Sequence, residues 1–376
     1  MIIKNALVHT LDKGFVEKDV IIEDSRFSDK TTDETVIDGT GCYLIPGLVD
    51  VHFHGCAGFD FCDGTQEALN TIGAYELEHG ITSICPASMT LSEEMLTGIC
   101  KNAVAYQQNA KDSKVARICG INLEGPFISY NKKGAQNPEY IAAADVDVFH
   151  RLADAANGLV KLITIAPETE GAMDFIKAVS SEVHVSLGHT EADYDTATEA
   201  FHLGADHLTH LYNAMPPLSH RMPGPIGAAM DNGRVMAEII CDGIHIHGSA
   251  VRAAFAMLGA DNMIFISDSM MATGMKDGKY SLGGLPVTVK GNRATLDDGT
   301  IAGSATNLFD CMMNAVKTMH IPLDTAVKCA TINPARSIGV DNEYGSIDIG
   351  KAADCLLVNK DTLALKATIF NGRKLA

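Results

Sequence analysis

Eight short apolar runs, each separated from the next by a stretch that can hold a helix, constrain this chain more than any other feature. They fall at residues 44–51, 81–85, 115–123, 159–165, 183–187, 207–211, 235–241 and 263–266. Helix signals follow several of them. Thr65 is placed to cap residues 66–78 with Gly80 as a stop, Ser92 opens 93–108, and 170–179 and 249–258 fit two later units. Strand and helix in alternation make a parallel sheet with right-handed crossovers, and eight units are the number that closes it into a (β/α)8 TIM barrel. An open doubly wound sheet shares the alternation, but no glycine-rich dinucleotide fingerprint follows the first run.

The two ends read differently. Short β-type runs lie at 2–10, 20–23 and 42–45, and again at 346–349, 354–359 and 367–370, with turns such as Asp12-Lys13-Gly14 and Asn371-Gly372. Neither end can bury a core alone, so residues 1–47 and 344–376 are expected to form one small β-sandwich domain beside a catalytic barrel at 48–343. Residues 274–303, rich in glycine and β-branched side chains, read as a hairpin insertion after the eighth run.

Composition narrows the function classes. With 46% hydrophobic and 20% charged residues the chain is neither disordered nor membrane-embedded, and a net charge of −18 excludes nucleic acid and anionic membranes as partners. An anionic substrate would need local cations. The ten cysteines are scattered without a Cys-x-x-Cys pair, and no basic leader with an apolar core and cleavage site opens the chain. Reduced thiols and a cytoplasmic location are the expectation.

Barrel enzymes carry their chemistry at the C-terminal ends of the strands, so what each run delivers there matters. The first ends in His52-Phe53-His54, the third in Glu124-Gly125-Pro126, the fifth in Gly188-His189-Thr190, the sixth in His210, the seventh in Asp242-Gly243-Ile244-His245 and the eighth in Asp268. His52 and His54, two apart, share one face of a strand and can grip one ion. Glu124 alone would read as a strand-end carboxylate at a Gly-Pro turn, and His189 alone as a core histidine. Together with the other histidines both become metal-ligand candidates. His207 and His210 are three apart and so face opposite sides of a strand, which leaves His210 as the ligand candidate and His207 as structural. Asp268, otherwise an Asx turn or helix cap, is placed to serve as a general base beside a metal-activated water.

The motifs Pro46-Gly47-Leu48-Val49-Asp50, Leu123-Glu124-Gly125-Pro126-Phe127, Leu187-Gly188-His189-Thr190, His210-Leu211-Tyr212-Asn213-Ala214-Met215-Pro216, Asp242-Gly243-Ile244-His245, Ser267-Asp268 and Ala302-Gly303-Ser304 occur in order. In them the chain resembles the N-acetylglucosamine-6-phosphate deacetylases of the amidohydrolase superfamily, from about Pro46 to its end. The resemblance implies a homodimeric barrel enzyme that hydrolyses the acetamide of a phosphorylated amino sugar. It implies Glu124, His189 and His210 as the main metal set and Asp268 as acid/base. Asn213, Ala214, Arg221 and His245 would hold sugar and phosphate, the Ile301-Ala302-Gly303 backbone would line the acetyl end, and Ala135, Gln136 and Asp242 complete the substrate set. In such dimers the arginine can serve the neighbouring subunit's site.

Two features depart from many such proteins. The His52/His54 pair, absent from some of them, leaves one or two divalent ions open, with zinc, iron, manganese or cobalt all suited to His/Glu ligands. Gln136 stands where many have a substrate-contacting histidine, and is expected mainly to position the sugar. The rival readings are deacetylation of the galacto epimer, a cyclic-amide hydrolase and a non-catalytic scaffold. The second usually needs a carboxylated lysine after the fourth strand, where this chain has Ala166-Pro167-Glu168, and the third usually loses ligands that are all present here.

Overall fold

The computed structural model describes residues 1–110 and 114–375. Eight parallel strands form its centre: β1 (Leu48–Asp50), β2 (Ile81–Ile84), β3 (Ile121–Glu124), β4 (Val160–Ile165), β5 (His184–Leu187), β6 (His207–Leu208), β7 (Met236–Ile240) and β8 (Met263–Ile266). β1 pairs with β2, a short strand at Ala87–Ser88 hands the chain from β2 to β3, and β3 to β8 pair in sequence order. The ring closes between β8 and β1, where the Asp268 N–H donates to the His52 carbonyl at 2.9 Å and the His54 N–H to the Ser269 carbonyl at 2.7 Å. This is the expected barrel.

A helix follows each strand: α1 (Gln66–Glu78), α2 (Glu93–Asn109), α3 (Val146–Ala155), α4 (Ala172–Val179), α5 (Tyr194–His202), α6 (Gly224–Asn232), α7 (Gly248–Leu258) and α8 (Leu308–Lys317), and two more, Leu323–Ala330 and Ile332–Ser337, come after α8. The capping chemistry is local. Thr65 accepts the Ala68 N–H and Ser92 the Met95 N–H, while Asp145 and Asp193 cap α3 and α5 in the same way.

Two of the apolar runs turn out to be two strands each. The run at 44–51 splits at Gly47: Cys42–Pro46 joins a sheet outside the barrel and Leu48–Asp50 enters it. A Cβ on Gly47 would lie 2.2 Å from Thr82 Oγ1, so only glycine fits at the crossing. The run at 115–123 splits likewise, Arg117–Ile118 pairing with β2 and Ile121–Glu124 with β4. Apolarity marks burial; it does not say against which partner.

The two ends of the chain share a six-stranded sheet, in which Cys42–Pro46 pairs antiparallel with Cys355–Asn359 and parallel with Leu7–Thr10. A four-stranded sheet of Arg26–Ser28, Val20–Glu23, Ile2–Lys4 and Val36–Asp38 contributes to a common apolar cluster including Ile3, Ile22, Phe27, Leu44, Leu357 and Ile369. The Arg117 guanidinium bonds Asp354 and Asn371 and lies over the Tyr344 and Phe370 rings, fastening this sheet to the barrel. The expected strand at 346–349 is a turn instead. Ser346 hydroxyl donates to Asp348 and accepts from Lys351, both at 2.6 Å, which folds the segment on itself.

After β8 the chain makes an antiparallel sheet, Gly278–Leu282, Leu285–Lys290, Arg293–Thr295 and Ile301–Ser304, one edge of which overhangs the barrel mouth. All ten cysteines are free, and among the described residues no helix is long and apolar enough to cross a membrane.

One core residue makes stability depend on pH. Glu76 of α1 is 0% exposed and neither carboxyl oxygen has a hydrogen-bond partner. Burial, reinforced by nearby Asp50, pushes its carboxyl up from 4.5 to about 8. The folded state therefore binds this proton more tightly than the unfolded chain, and its stabilising contribution, complete below pH 4.5, is lost as pH rises from there through 8. Glu76→Gln should be more stable than the parent by an increment that grows between pH 5 and pH 8, on the order of 1–3 kcal/mol at the upper end, read as a widening Tm difference. Thermal melts across that range check it; a pH-independent difference would contradict it.

Candidate functional site

Glu124, the last residue of β3, is 2% exposed and is surrounded by imidazoles. Its Oε1 lies 3.1 Å from His189 Nε2, 3.0 Å from His210 Nε2 and 3.4 Å from His52 Nε2. Its Oε2 lies 3.4 Å from His54 Nε2 and accepts a 2.6 Å bond from the Gln136 amide. Asp268 Oδ1 approaches His54 Nε2 at 3.4 Å and His52 Nε2 at 3.8 Å. Strands β1, β3, β5, β6 and β8 thus bring their ends to one point. His189, His210 and Asp268 have φ of 47°, 29° and 48°, the left-handed region that costs a non-glycine residue about 1–3 kcal/mol. The strain sits where the strands end and the side chains turn toward the barrel axis.

The next layer of contacts fixes which ring nitrogen carries the proton. Nδ1 of His189 donates to the Lys132 carbonyl at 2.8 Å, Nδ1 of His54 to the Ala87 carbonyl at 3.2 Å, and Nδ1 of His52 to Glu238 Oε2 at 2.8 Å. In the neutral rings each Nε2 then presents a lone pair toward carboxylate oxygens, acceptor against acceptor. Among the described residues, buried His52 Nε2 has no hydrogen-bond partner. Cations between these groups resolve the conflict. Two sets, His52/His54/Glu124 and Glu124/His189/His210, each bring their ligand atoms within 4.8 Å of one another and share Glu124. The donor set fits divalent metal.

The electrostatics agree. Burial would lift the Glu124 carboxyl, but His52 and His189 hold it well below the usual carboxylate range. Burial would lower the His52 imidazole, but Glu238 and Glu124 hold it well above its ordinary value. The carboxylates of this centre require positive charge beside them.

A cavity of about 370 Å³ opens above these groups, lined by His54, Glu124, His189, His210, Asp268, Ala135, Gln136, Asn213, Ala214, His245, Ile301 and Gly303 among others. Most of the expected substrate residues are therefore brought together. Three are placed otherwise. Ala302 is fully buried with its side chain away from the cavity. Asp242 stands behind His245, accepting its Nδ1–H at 2.7 Å, and lines a different cavity. That contact counters burial and holds the His245 imidazole above its usual value, aimed with its other nitrogen free. Arg221 is exposed and lines a separate cavity with Glu191, Tyr194 and Pro216. His207 does not face away from His210. β6 ends at Leu208, strand periodicity stops there, and both rings lie inside the barrel.

Gln136 reaches the cavity but is held at both ends, its carbonyl accepting the Thr90 N–H at 2.7 Å and its amide donating to Glu124. The sequence reading passed over two buried acids. Glu238 interrupts the apolar strand Met236-Ala237-Glu238-Ile239-Ile240, and Asp50 bonds Ser267 across the β1/β8 seam at 2.6 Å. A charge inside a buried strand was the available signal.

The model of the amidohydrolase family matches residues 43–375. The chain belongs to the amidohydrolase family. Among its relatives, an N-acetylglucosamine-6-phosphate deacetylase of Bacillus subtilis is 37% identical over 85% of this chain and 81% of its own length. An N-acetylgalactosamine-6-phosphate deacetylase of Escherichia coli is 31% identical over 84% and 83%. In solved structures, an aspartate-to-alanine mutant of the Mycobacterium smegmatis N-acetyl-D-glucosamine-6-phosphate deacetylase, in complex with N-acetyl-D-glucosamine 6-phosphate, superposes with a TM-score of 0.91 at 31% identity, covering 100% of this chain and 98% of that one.

Ligands that bind only the folded state stabilise it, by about 2.7 kcal/mol at a hundredfold excess over Kd. Stripping this amidohydrolase with a chelator should therefore lower Tm by a few degrees, and zinc, manganese or cobalt should restore it. A Tm indifferent to both treatments would remove the metal centre.

Proposed function

We propose that the chain hydrolyses the acetamide of N-acetylglucosamine 6-phosphate, releasing acetate and glucosamine 6-phosphate. The observation that carries this reading is the convergence of Glu124, four histidines and Asp268 at the floor of one cavity beside His245. Divalent ions held by Glu124, His189 and His210, and by His52, His54 and Glu124, would supply Lewis acidity toward a water and the amide carbonyl.

The protein's own groups do the rest. Asp268, its side chain 10% exposed and its Oδ1 facing His54, takes a proton from the attacking water. As the C–N bond breaks, the same carboxyl returns that proton to the leaving nitrogen, without which the amine is a poor leaving group. Burial would raise the Asp268 carboxyl, yet the positive charge facing it from the His54 and His52 side, which a bound divalent ion would supply to the neutral rings, holds it below its ordinary value, ready to accept. Gln136 keeps Glu124 from rotating and has a second amide hydrogen for the substrate. Lys132 and His245 at the cavity wall meet the anionic end in an otherwise acidic protein.

We assign catalysis to residues 48–343 and an accessory β-sandwich to 1–47 with 344–376, and place the protein in the cytoplasm. Asp268→Asn should keep its metal and lose about 10² to 10⁴-fold in acetate release. Turnover within a few-fold of the parent would exclude Asp268 as acid/base. Comparing acetate release from the gluco and galacto 6-phosphates, with the free N-acetyl sugars alongside, decides the epimer. Equal rates on free and phosphorylated sugars would overturn the phosphate assignment.

Arg221 lies outside this chain's own cavity, and the exposed Leu218 and Met222 flank it. We read this loop as the contact of a homodimer in which each Arg221 reaches the neighbour's phosphate subsite. Arg221→Ala should then weaken phosphorylated substrate only. Mixed by reversible dissociation with Asp268→Asn, it should regain activity that neither variant has, because one site of the mixed dimer is intact. A mixture as inactive as its components would return Arg221 to its own chain or to a structural role.

A further inference from the structure

Beneath the cavity floor lies a dry polar layer that belongs to neither ligand set. Glu238, from the middle of β7, is 0% exposed, and its neighbours His52 and His207 are at most 1% exposed. Its Oε2 accepts two bonds, from His52 Nδ1 at 2.8 Å and from the backbone N–H of His210 at 3.0 Å. Its Oε1 faces His207 Nε2 at 3.4 Å, and no hydrogen bond satisfies either atom.

A carboxylate here is expensive. Removing one from water costs several kcal/mol, and an apolar side chain of like volume would serve the barrel core better. The contacts say what it does instead. Without an acceptor at Nδ1, the His52 ring has no reason to keep its proton there, and the tautomer with Nε2–H pointing at Glu124 cannot ligate. Glu238 also adds a third negative charge, with Glu124 and Asp268, to a dry centre. Two divalent ions carry four positive charges, which two carboxylates offset poorly. The hold on His210 is of another kind: it grips the main chain, not the imidazole, and the neighbouring Leu211 N–H bonds the Glu238 carbonyl whatever side chain stands at 238.

We propose that Glu238 is a positioning residue that decides whether the His52/His54/Glu124 half of the centre loads a metal ion, with little hold over the Glu124/His189/His210 half. This rests on the two-ion reading above. His207 packs against the far oxygen of the same carboxylate at 3.4 Å and so bears on the same half. Neither residue touches substrate or ion.

The parent and Glu238→Leu, which removes both the charge and the acceptor at His52 Nδ1, are stripped, titrated with Mn²⁺ and compared by elemental analysis and electron paramagnetic resonance. The parent should take two ions per chain with the spectrum of a spin-coupled pair. The variant should give an uncoupled single-ion spectrum, with second-ion affinity lowered roughly ten- to a hundredfold and first-ion affinity within about threefold of the parent. A parent that never exceeds one ion overturns the two-ion reading and this proposal with it. Two ions in the parent, with a variant that binds both as tightly or loses both alike, overturns only the proposal. Should Glu238→Leu fail to fold, His207→Leu leaves every ligand and Glu238 in place and should weaken the second ion alone by a smaller factor; no effect, or an equal effect on both ions, refutes the assignment.

Discussion

The structure turns on one buried carboxylate. Glu124 leaves β3 with its two oxygens divided among imidazoles from β1, β5 and β6, and every other feature of the site either aims a group at it or keeps it still. Such a charge is tolerable in a dry interior only if positive charge stands beside it. The barrel supplies the geometry for that. Closure of β8 onto β1 sets Asp268 against His54, two residues more than 200 positions apart.

Precision comes from the contacts behind the ligands. Backbone carbonyls at Lys132 and Ala87 and the carboxylate of Glu238 hold three imidazoles in one tautomer, and Gln136 stops Glu124 from turning. One segment, 130–136, does two of these jobs while lining the cavity. Left-handed backbone at His189, His210 and Asp268 is affordable because rigid strands precede each residue. Local strain, the bonds behind the ligands and the cavity wall therefore fall on neighbouring residues, and a change in one disturbs the others.

Much of the layout was legible in the chain. Apolar runs alternating with capped helices specify a closed parallel sheet, and the caps at Thr65 and Ser92 act as their side chains predict. Boundaries were less legible. The splits at Gly47 and Gly120 occur inside continuous apolar runs, because hydrophobicity records burial and says nothing of which sheet provides it. His207 was assigned to the wrong face, since a period-two argument holds only while the strand lasts, and β6 lasts two residues.

Residue order alone sets the inventory: which polar residues arrive at strand ends, and hence Glu124, His52, His54, His189, His210 and Asp268 as one candidate set. Residue type and position along a strand are local properties, written in the order of amino acids. Only the tertiary structure decided distances and partners. It placed Glu238 on His52, bound Gln136 to Glu124, set Asp242 behind His245 and put Arg221 outside its own cavity. Those relations join segments remote in the chain, and they come into being when the ring closes and the cost of burying each charge has to be met by whichever neighbour the fold has placed beside it.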